Sequence, residues 1–245
     1  MPKIFKVGGC VRDEIMGLQS KDIDFTFVLD NLDQTVEQGF QDMTDHLVKE
    51  GFEIFLSTPD CFTIRARFPK TDPNAGLVAD FVMARKETGY VEGTRRPILA
   101  LGTLQDDLIR RDFTVNAIAV DEDGQLIDPF LGVEDIKNKL LITPLDPTIT
   151  LMDDPLRLLR ALRFAITKNF KISQEILDAM KQPELMAKLE LTVSGERVRE
   201  EIMKMMAADT PNAFRLLSVM DDHIPGFLEV IFRKGLWLKP TFEKI

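Results

Sequence analysis

The spacing of apolar residues changes along the chain. Ile4, Phe5 and Val7 make a short apolar run that stops at Gly8-Gly9, as a strand does at a turn. VRDEIMG (residues 11–17) then predicts one or two helical turns closed by Gly17. DIDFTFVL (22–29) alternates polar and apolar residues and is rich in aromatic and β-branched side chains, so it predicts a strand. Val36, Phe40, Met43 and Leu47 fall on one helical face and predict an amphipathic helix over 32–50. FEIFLS, CFTIRARF and LVADFVMAR predict three further strands, with TDPNAG as the turn before the last. Gly89 to Asp107 is polar and predicts a long loop. IRRDFTVNAIAV (109–120) predicts the entry to a helix or strand. DEDGQLIDPFLG (121–132) predicts a hairpin turning at Asp123-Gly124. From Val133 the period is helical. Asp154-Pro155 opens one helix, and others are predicted over 173–180, 194–206 and 210–220. The expected fold class is α+β, a mixed sheet followed by an almost all-α second half, without internal repeats.

On a strand, Asp22 and Asp24 point to the same side. Two carboxylates so close repel, and one tends to hold a proton. A hard divalent cation such as Mg²⁺, or Mn²⁺ in its place, removes the conflict and keeps positions for phosphate oxygens. Two such ions serve an in-line phosphoryl displacement. Asp80, in the apolar strand LVADFVMA, is the candidate third carboxylate; the plainer role for it is an ion pair with Arg85 or Lys86. A bare pair of acids on a strand is more often a solvated edge. Gly8-Gly9 alters that balance, because successive glycines let backbone N–H groups approach phosphate, and Arg12 adds a candidate bidentate clamp.

Composition narrows the field. The 245 residues suit one large domain or two small ones, and 44% hydrophobic residues suffice for a core. Lys and Arg number 31 against 40 Asp and Glu, for a net charge of −9, so any RNA contact needs a locally basic surface. Two histidines, His46 and His223, argue against a histidine-rich metal centre. Cys10 and Cys61 lack metal-ligand spacing, and the N-terminus lacks the pattern of a signal peptide; a reducing cytoplasm is the expected compartment. No apolar run approaches the ~20 residues of a membrane span.

GGxVRD followed by the Asp22-x-Asp24 strand resembles the nucleotidyltransferase signature of the polymerase-β superfamily. RRDFTVNAIA (110–119), DPFLGVEDIKNKLL (128–141), DDPLRLLRALRFA (153–165) and SGERVREEIMKMM (194–206) follow in the order seen in class II tRNA nucleotidyltransferases and bacterial poly(A) polymerases. The resemblance covers Val7 to about Met206. It implies a polymerase-β-type catalytic head over 1–132, a helical neck over 133–206, and a short helical body remnant over 207–245. It also implies template-independent addition of C and A to the 3′ end of tRNA, with CTP and ATP as substrates. The body and tail that usually grip tRNA in this family are expected to be missing or reduced, and Asp153 stands where the family usually has Glu. The oligomeric state is left open.

Within that resemblance, Asp154 and Arg157 are three residues apart on a helix and are expected to read the base. A carboxylate accepts from the exocyclic amino group of C or A, and a guanidinium donates to the adjacent ring nitrogen; U and G present the reverse pattern. Without the motif context, an intrahelical ion pair is the simpler reading. Arg160 is expected at triphosphate or base, and Arg163 in a structural role or at RNA backbone. Arg111 is expected at the triphosphate, with Asp112 and Asn116 near the ribose hydroxyls, and Phe113 and Val115 in the core. Glu196, Arg197 and Arg199 are expected to form a buried salt-bridge brace, and Asp128 and Gly132 to shape a hinge. ETGYVEGTRRPILALGTL (87–104) lies where the family has a mobile loop associated with terminal A addition, with Arg95 and Arg96 as candidate contacts. Poly(A) addition, or CC-only or A-only addition, are the nearest alternatives. A non-catalytic RNA- or nucleotide-binding relative is the alternative of another class.

Overall fold

A computed structural model describes residues 2–20, 22–90 and 97–233. The chain divides into two compact units, Met1–Ile136 and Lys137–Ile245.

The first unit holds strands β1 (Lys3–Val7), β2 (Ile23–Val28), β3 (Glu53–Thr58), β4 (Thr63–Arg67), β5 (Val78–Met83), β6 (Arg85–Tyr90), β7 (Pro97–Leu101), β8 (Ala119–Val120) and β9 (Leu126–Ile127). Its helices are α1 (Gly9–Ile15), α2 (Val36–Lys49), α3 (Leu104–Ile109) and the start of α4 (Gly132–Asn138). Seven strands form one sheet in the order β3-β4-β5-β2-β1-β8-β9. Strands β2 and β5 pair in parallel, whereas the other neighbours pair antiparallel, so the sheet is mixed, as expected. Strands β6 and β7 form a separate antiparallel pair.

Helix α2 starts at a reciprocal cap: Thr35 Oγ1 accepts from the N–H of Gln38, and the Gln38 side chain accepts from the N–H of Thr35. Its apolar face places Met43 and Leu47, both fully buried, against Phe27, Ile64, Phe81 and Met83 of the sheet. Each such side chain contributes about 1.5–3 kcal/mol when removed from water.

The polar stretch 89–107 is not the expected loop throughout. Its described part contains β7 and α3, which begins at a cap between Thr103 and Asp106. Two of its polar residues, Thr103 and Asp106, are thus capping groups, and Leu101 is buried in the core. Arg95 and Arg96 lie outside the described residues. The hairpin at Asp123-Gly124 forms as expected, with Gly124 at φ 80° and Asp121 accepting from the N–H groups of Asp123 and Gln125.

The second unit contains a small parallel pair, β10 (Leu140–Leu141) and β11 (Lys171–Ile172), with helices α5 (Pro147–Asp153), α6 (Leu156–Lys168), α7 (Gln174–Met180), α8 (Pro183–Thr192), α9 (Gly195–His223) and α10 (Phe227–Phe232). Its core includes Leu158, Leu159 and Leu162 of α6 and Ile202 and Met205 of α9. The two helices expected over 194–206 and 210–220 are one element broken at Asp209 (φ −157°, ψ 88°). Pro211 lacks a backbone N–H, and the Asp209 carboxylate caps the second half by accepting from Asn212 N. Among the described residues no helix is long and apolar enough to cross a membrane.

Asp128 accepts the backbone N–H groups of Gly132 and Val133 at 2.8 and 2.9 Å and so starts α4. A Cβ on Gly132 would lie 2.2 Å from the carbonyl oxygen of Thr114, which is backbone and has no room to yield. Gly132→Ala should therefore lower stability by about 1–3 kcal/mol, read as a reduced urea midpoint. An unchanged midpoint would show that α4 does not rest on Thr114 in this way.

Candidate active site

Strand register assembles the acidic centre. Asp24 of β2 is directly opposite Asp80 of β5, and Asp80 is directly opposite Arg65 of β4. Cross-strand partners point to the same side of a sheet, so Arg65, Asp80 and Asp24 form a row, with Asp22 two residues before Asp24. Arg65 donates from Nε and Nη2 to the two carboxylate oxygens of Asp80 at 2.7 and 2.6 Å. The partner of Asp80 is thus Arg65 rather than Arg85 or Lys86.

Asp24 is half-buried and Asp22 exposed. Burial first, and then the charge of Asp80, push the Asp24 carboxyl above the ordinary carboxylate range; Arg111 opposes this and Asp22 adds to it. These crowded, hard oxygen donors are what a divalent cation suits. Among the described residues no three Asp, Glu, His or Cys side chains gather into a metal-binding group. Both carboxylate oxygens of Asp80 are engaged by Arg65.

Thr26 continues the face of Asp22 and Asp24, and is fully buried. Its hydroxyl donates to Asp107 Oδ2 at 2.8 Å. Arg111 Nη2 donates to the same carboxylate oxygen at 2.8 Å, and Arg110 pairs with its other oxygen. Arg111 Nη1 reaches the carbonyl of Asn116 at 3.3 Å. This places the guanidinium over the glycine turn: a Cβ on Gly8, whose φ is 76°, would lie 2.6 Å from Arg111 Nη1. Gly8 therefore combines a left-handed backbone with a close approach. Its own N–H donates to Ile118 O at 3.2 Å, so that donor is already engaged. Among the first N–H groups of α1, that of Arg12 returns to Gly8 O.

Arg12 is placed differently from the expected phosphate clamp. It is 6% exposed, donates twice to Asp13 Oδ1, and donates to Asn116 Oδ1. Asn116 Nδ2 donates to Asp112 Oδ1 at 2.8 Å, and that oxygen also accepts from Phe113 N. Asp112 and Asn116 are themselves buried, so this chain of bonds is a brace that joins α1 to the 110–116 turn. Phe113 and Val115 are fully buried, as expected.

In the second unit, Asp154 precedes α6 in an extended conformation and caps it, accepting from Leu156 N at 3.2 Å. Asp154 Oδ2 accepts from Arg197 Nη2 of α9 at 3.1 Å, and Arg157 Nη1 donates to Thr150 O at 3.1 Å. The expected buried brace of Glu196, Arg197 and Arg199 is not built, because all three are exposed. Glu201, only 4% exposed, takes that role: it binds Arg163 closely and lies 3.9 Å from Arg160. Arg163 is therefore held in a largely buried ion pair with Glu201.

Residues 4–142 match the family model described as the poly A polymerase head domain, and residues 169–221 match one described as a probable RNA and SrmB-binding site of polymerase A. The chain belongs to the poly(A) polymerase head-domain family. Among the relatives of this family, it is 33% identical over 86% of its length to a Schizosaccharomyces pombe protein named tRNA nucleotidyltransferase cca2, of which it covers 45%. It is 36% identical over 86% of its length to a multifunctional CCA protein of Actinobacillus pleuropneumoniae, of which it covers 47%. Its fold matches the Bacillus stearothermophilus CCA-adding enzyme solved with CTP at a TM-score of 0.70 and 26% identity, covering 92% of this chain and 50% of that one. The chain spans about half the length of the curated relatives it matches.

Sequence reasoning missed Thr26, Arg65 and Asp107 in the first unit, and Glu201 in the second. Thr26 was within reach, since it shares the two-residue period of the aspartates. The others depend on register or on helix packing, which local pattern does not carry.

Asp107 yields a pH test. Burial alone would raise its pKa, but Arg111 and Arg110 outweigh burial and hold it at about 2. A folded value below the unfolded value of about 3.9 means the stabilisation is full above about pH 4 and is lost as pH falls through about 2. That stabilisation is about 2–3 kcal/mol at neutral pH. Asp107→Asn, which also leaves two arginines without their carboxylate, should cost about 3–5 kcal/mol at pH 7, with the gap from wild type narrowing toward pH 2. Urea unfolding across that range checks it; a gap independent of pH would contradict the assignment.

Proposed function

We propose that this chain adds C and A to the 3′ end of tRNA, using CTP and ATP and releasing pyrophosphate. The observation that carries the reading is the Asp22–Asp24–Asp80 row with Arg111 fixed over the Gly8 turn, in a chain whose relatives are named for this reaction. Asp22 and Asp24 are the residues that would hold Mg²⁺, or Mn²⁺ in its place. When bound there, the ion supplies Lewis-acid polarisation of phosphate and lowers the pKa of an attacking hydroxyl. The protein's own contribution is orientation and charge. Arg111, held from behind by Asp107, offers its cation to the triphosphate. Burial and the charge of Asp80 disfavour the bare Asp24 carboxylate, which a bound cation would neutralise. Gly9, the first residue of α1 and without a Cβ, leaves room for phosphate oxygens. Asp112 and Asn116, braced by Arg12, shape the turn nearest the ribose.

In the second unit, Asp154 accepts from the amino group of C or A and Arg157 donates to the ring nitrogen, so U and G leave these groups unpaired. Arg197 orients the Asp154 carboxylate, and Arg160, 32% exposed against 15% for Arg163, is the more accessible of the two to a substrate. Free Cys10 and Cys61 are consistent with a cytoplasmic site of action. Poly(A) addition is the second reading, because the same base-reading pair and the head-domain family serve it equally.

The test is incubation with tRNA truncated before its CCA end, Mg²⁺ and each NTP in turn, read at single-nucleotide resolution. One to three added residues of C and A are expected, with no U or G; a long A tail would favour poly(A) addition. Asp22→Ala with Asp24→Ala should reduce addition at least about 10²-fold. Nucleotide binding without any addition by folded wild type would refute the catalytic reading. In the same assay, Asp154→Ala should lose selectivity for C and A over U and G; unchanged selectivity would remove Asp154 from base reading.

A further inference from the structure

Asp24 feels the charge of Asp80 more strongly than that of Asp22. Yet Asp80 is not free to share a cation, because Arg65 occupies both its oxygens at 2.7 and 2.6 Å. The Arg65 side chain is 46% exposed and the Asp80 side chain 23%. An ion pair so open to water adds little to folding. Its significance lies in its place, one strand spacing from Asp24 in a fixed register, roughly 4.8 Å away.

We propose that Arg65 is a positioning residue that sets the divalent-ion affinity of the acidic centre, by holding Asp80 with a two-pronged ion pair and keeping it out of the ion's ligand set. This inference rests on the nucleotidyl-transfer reading of the same acids. With Arg65 in place, Asp22, Asp24 and Asp80 present a formal charge of −2 once the guanidinium is counted. Two carboxylates and a compensated third hold a divalent ion weakly. Phosphate oxygens of an incoming triphosphate would supply further donors, so nucleotide would favour retention of the ion. The fork geometry matters, since both oxygens of Asp80 must be covered at once.

The charges give a closed set of four predictions, measured as Mn²⁺ binding to the full chain without nucleotide, by electron paramagnetic resonance. Arg65→Gln keeps the apolar stem, frees Asp80 and makes the site more negative; Mn²⁺ should bind about five- to tenfold tighter. Asp80→Asn leaves the Arg65 cation beside Asp24, and binding should weaken by a similar factor. The double variant Arg65→Gln with Asp80→Asn has the wild-type formal charge and should return to within about twofold of wild type. Arg65→Lys keeps the charge but makes one point contact, and should fall between wild type and Arg65→Gln. Circular dichroism confirms folding of each variant, and if Arg65→Gln does not fold, the Arg65→Lys and Asp80→Asn pair carries the test. Unchanged or weaker Mn²⁺ binding in Arg65→Gln, or a double variant that resembles it, overturns the proposal. So does a wild type whose Mn²⁺ binding ignores Asp22→Ala. Failure of wild type to extend any RNA would instead remove the functional reading, and the two outcomes are separable because the binding measurement involves no turnover.

Discussion

The register of three adjacent strands is the constraint on which the candidate site depends. Pairing β4, β5 and β2 so that Arg65, Asp80 and Asp24 stand abreast puts one cation and two anions on the same side of the sheet. A one-residue slip of β5 would turn Asp80 into the core and bring Phe81 or Ala79 to the acidic face. That slip is blocked because Ala79, Phe81 and Met83 fill the core under α2. Core packing and acidic chemistry are thus two faces of one strand alignment.

A second set of bonds anchors the segment from Arg110 to Asn116. Asp107 draws both Arg110 and Arg111, and Arg111 spans Thr26 on β2 and the turn at Gly8. The buried Thr114 hydroxyl donates to Asp135 and Gly132 packs against the Thr114 carbonyl, so the start of α4 is fixed to the same segment. Burial pushes the Asp135 carboxyl upward in pKa, while its bond from Thr114 opposes the shift. The motif that resembles a substrate-binding element therefore works largely as internal scaffolding, with the Arg111 side chain still 20% exposed.

How much of this was legible in the sequence follows from the range of each interaction. The alternation in DIDFTFVL is local, and it suffices to predict β2 and the shared face of Asp22 and Asp24. The cap at Asp154-Pro155 is equally local. Arg65 escaped notice because its partner is 15 residues away and is chosen by register. Glu201 escaped because its pairing with Arg163 depends on how α6 packs against α9, whereas the more conspicuous charges at 196, 197 and 199 are exposed, with Arg197 paired to Asp154. Arg12 looked like a phosphate ligand from its place after the glycines, but Asp13 and Asn116 claim its guanidinium. Family resemblance placed the motifs in order; only the fold assigned their side chains to partners.

Asn116 joins these systems at a single residue. Its side chain accepts from Arg12 and donates to Asp112, and its carbonyl accepts from Arg111. One arginine is thus tied to α1 and the other to the acidic face, through the same short turn. Energetic changes at the two arginines do not add independently, because each shifts the anchor on which the other depends. Substitution in this region is accordingly a matter of epistasis: a replacement tolerated beside one arginine is conditioned by the state of the other.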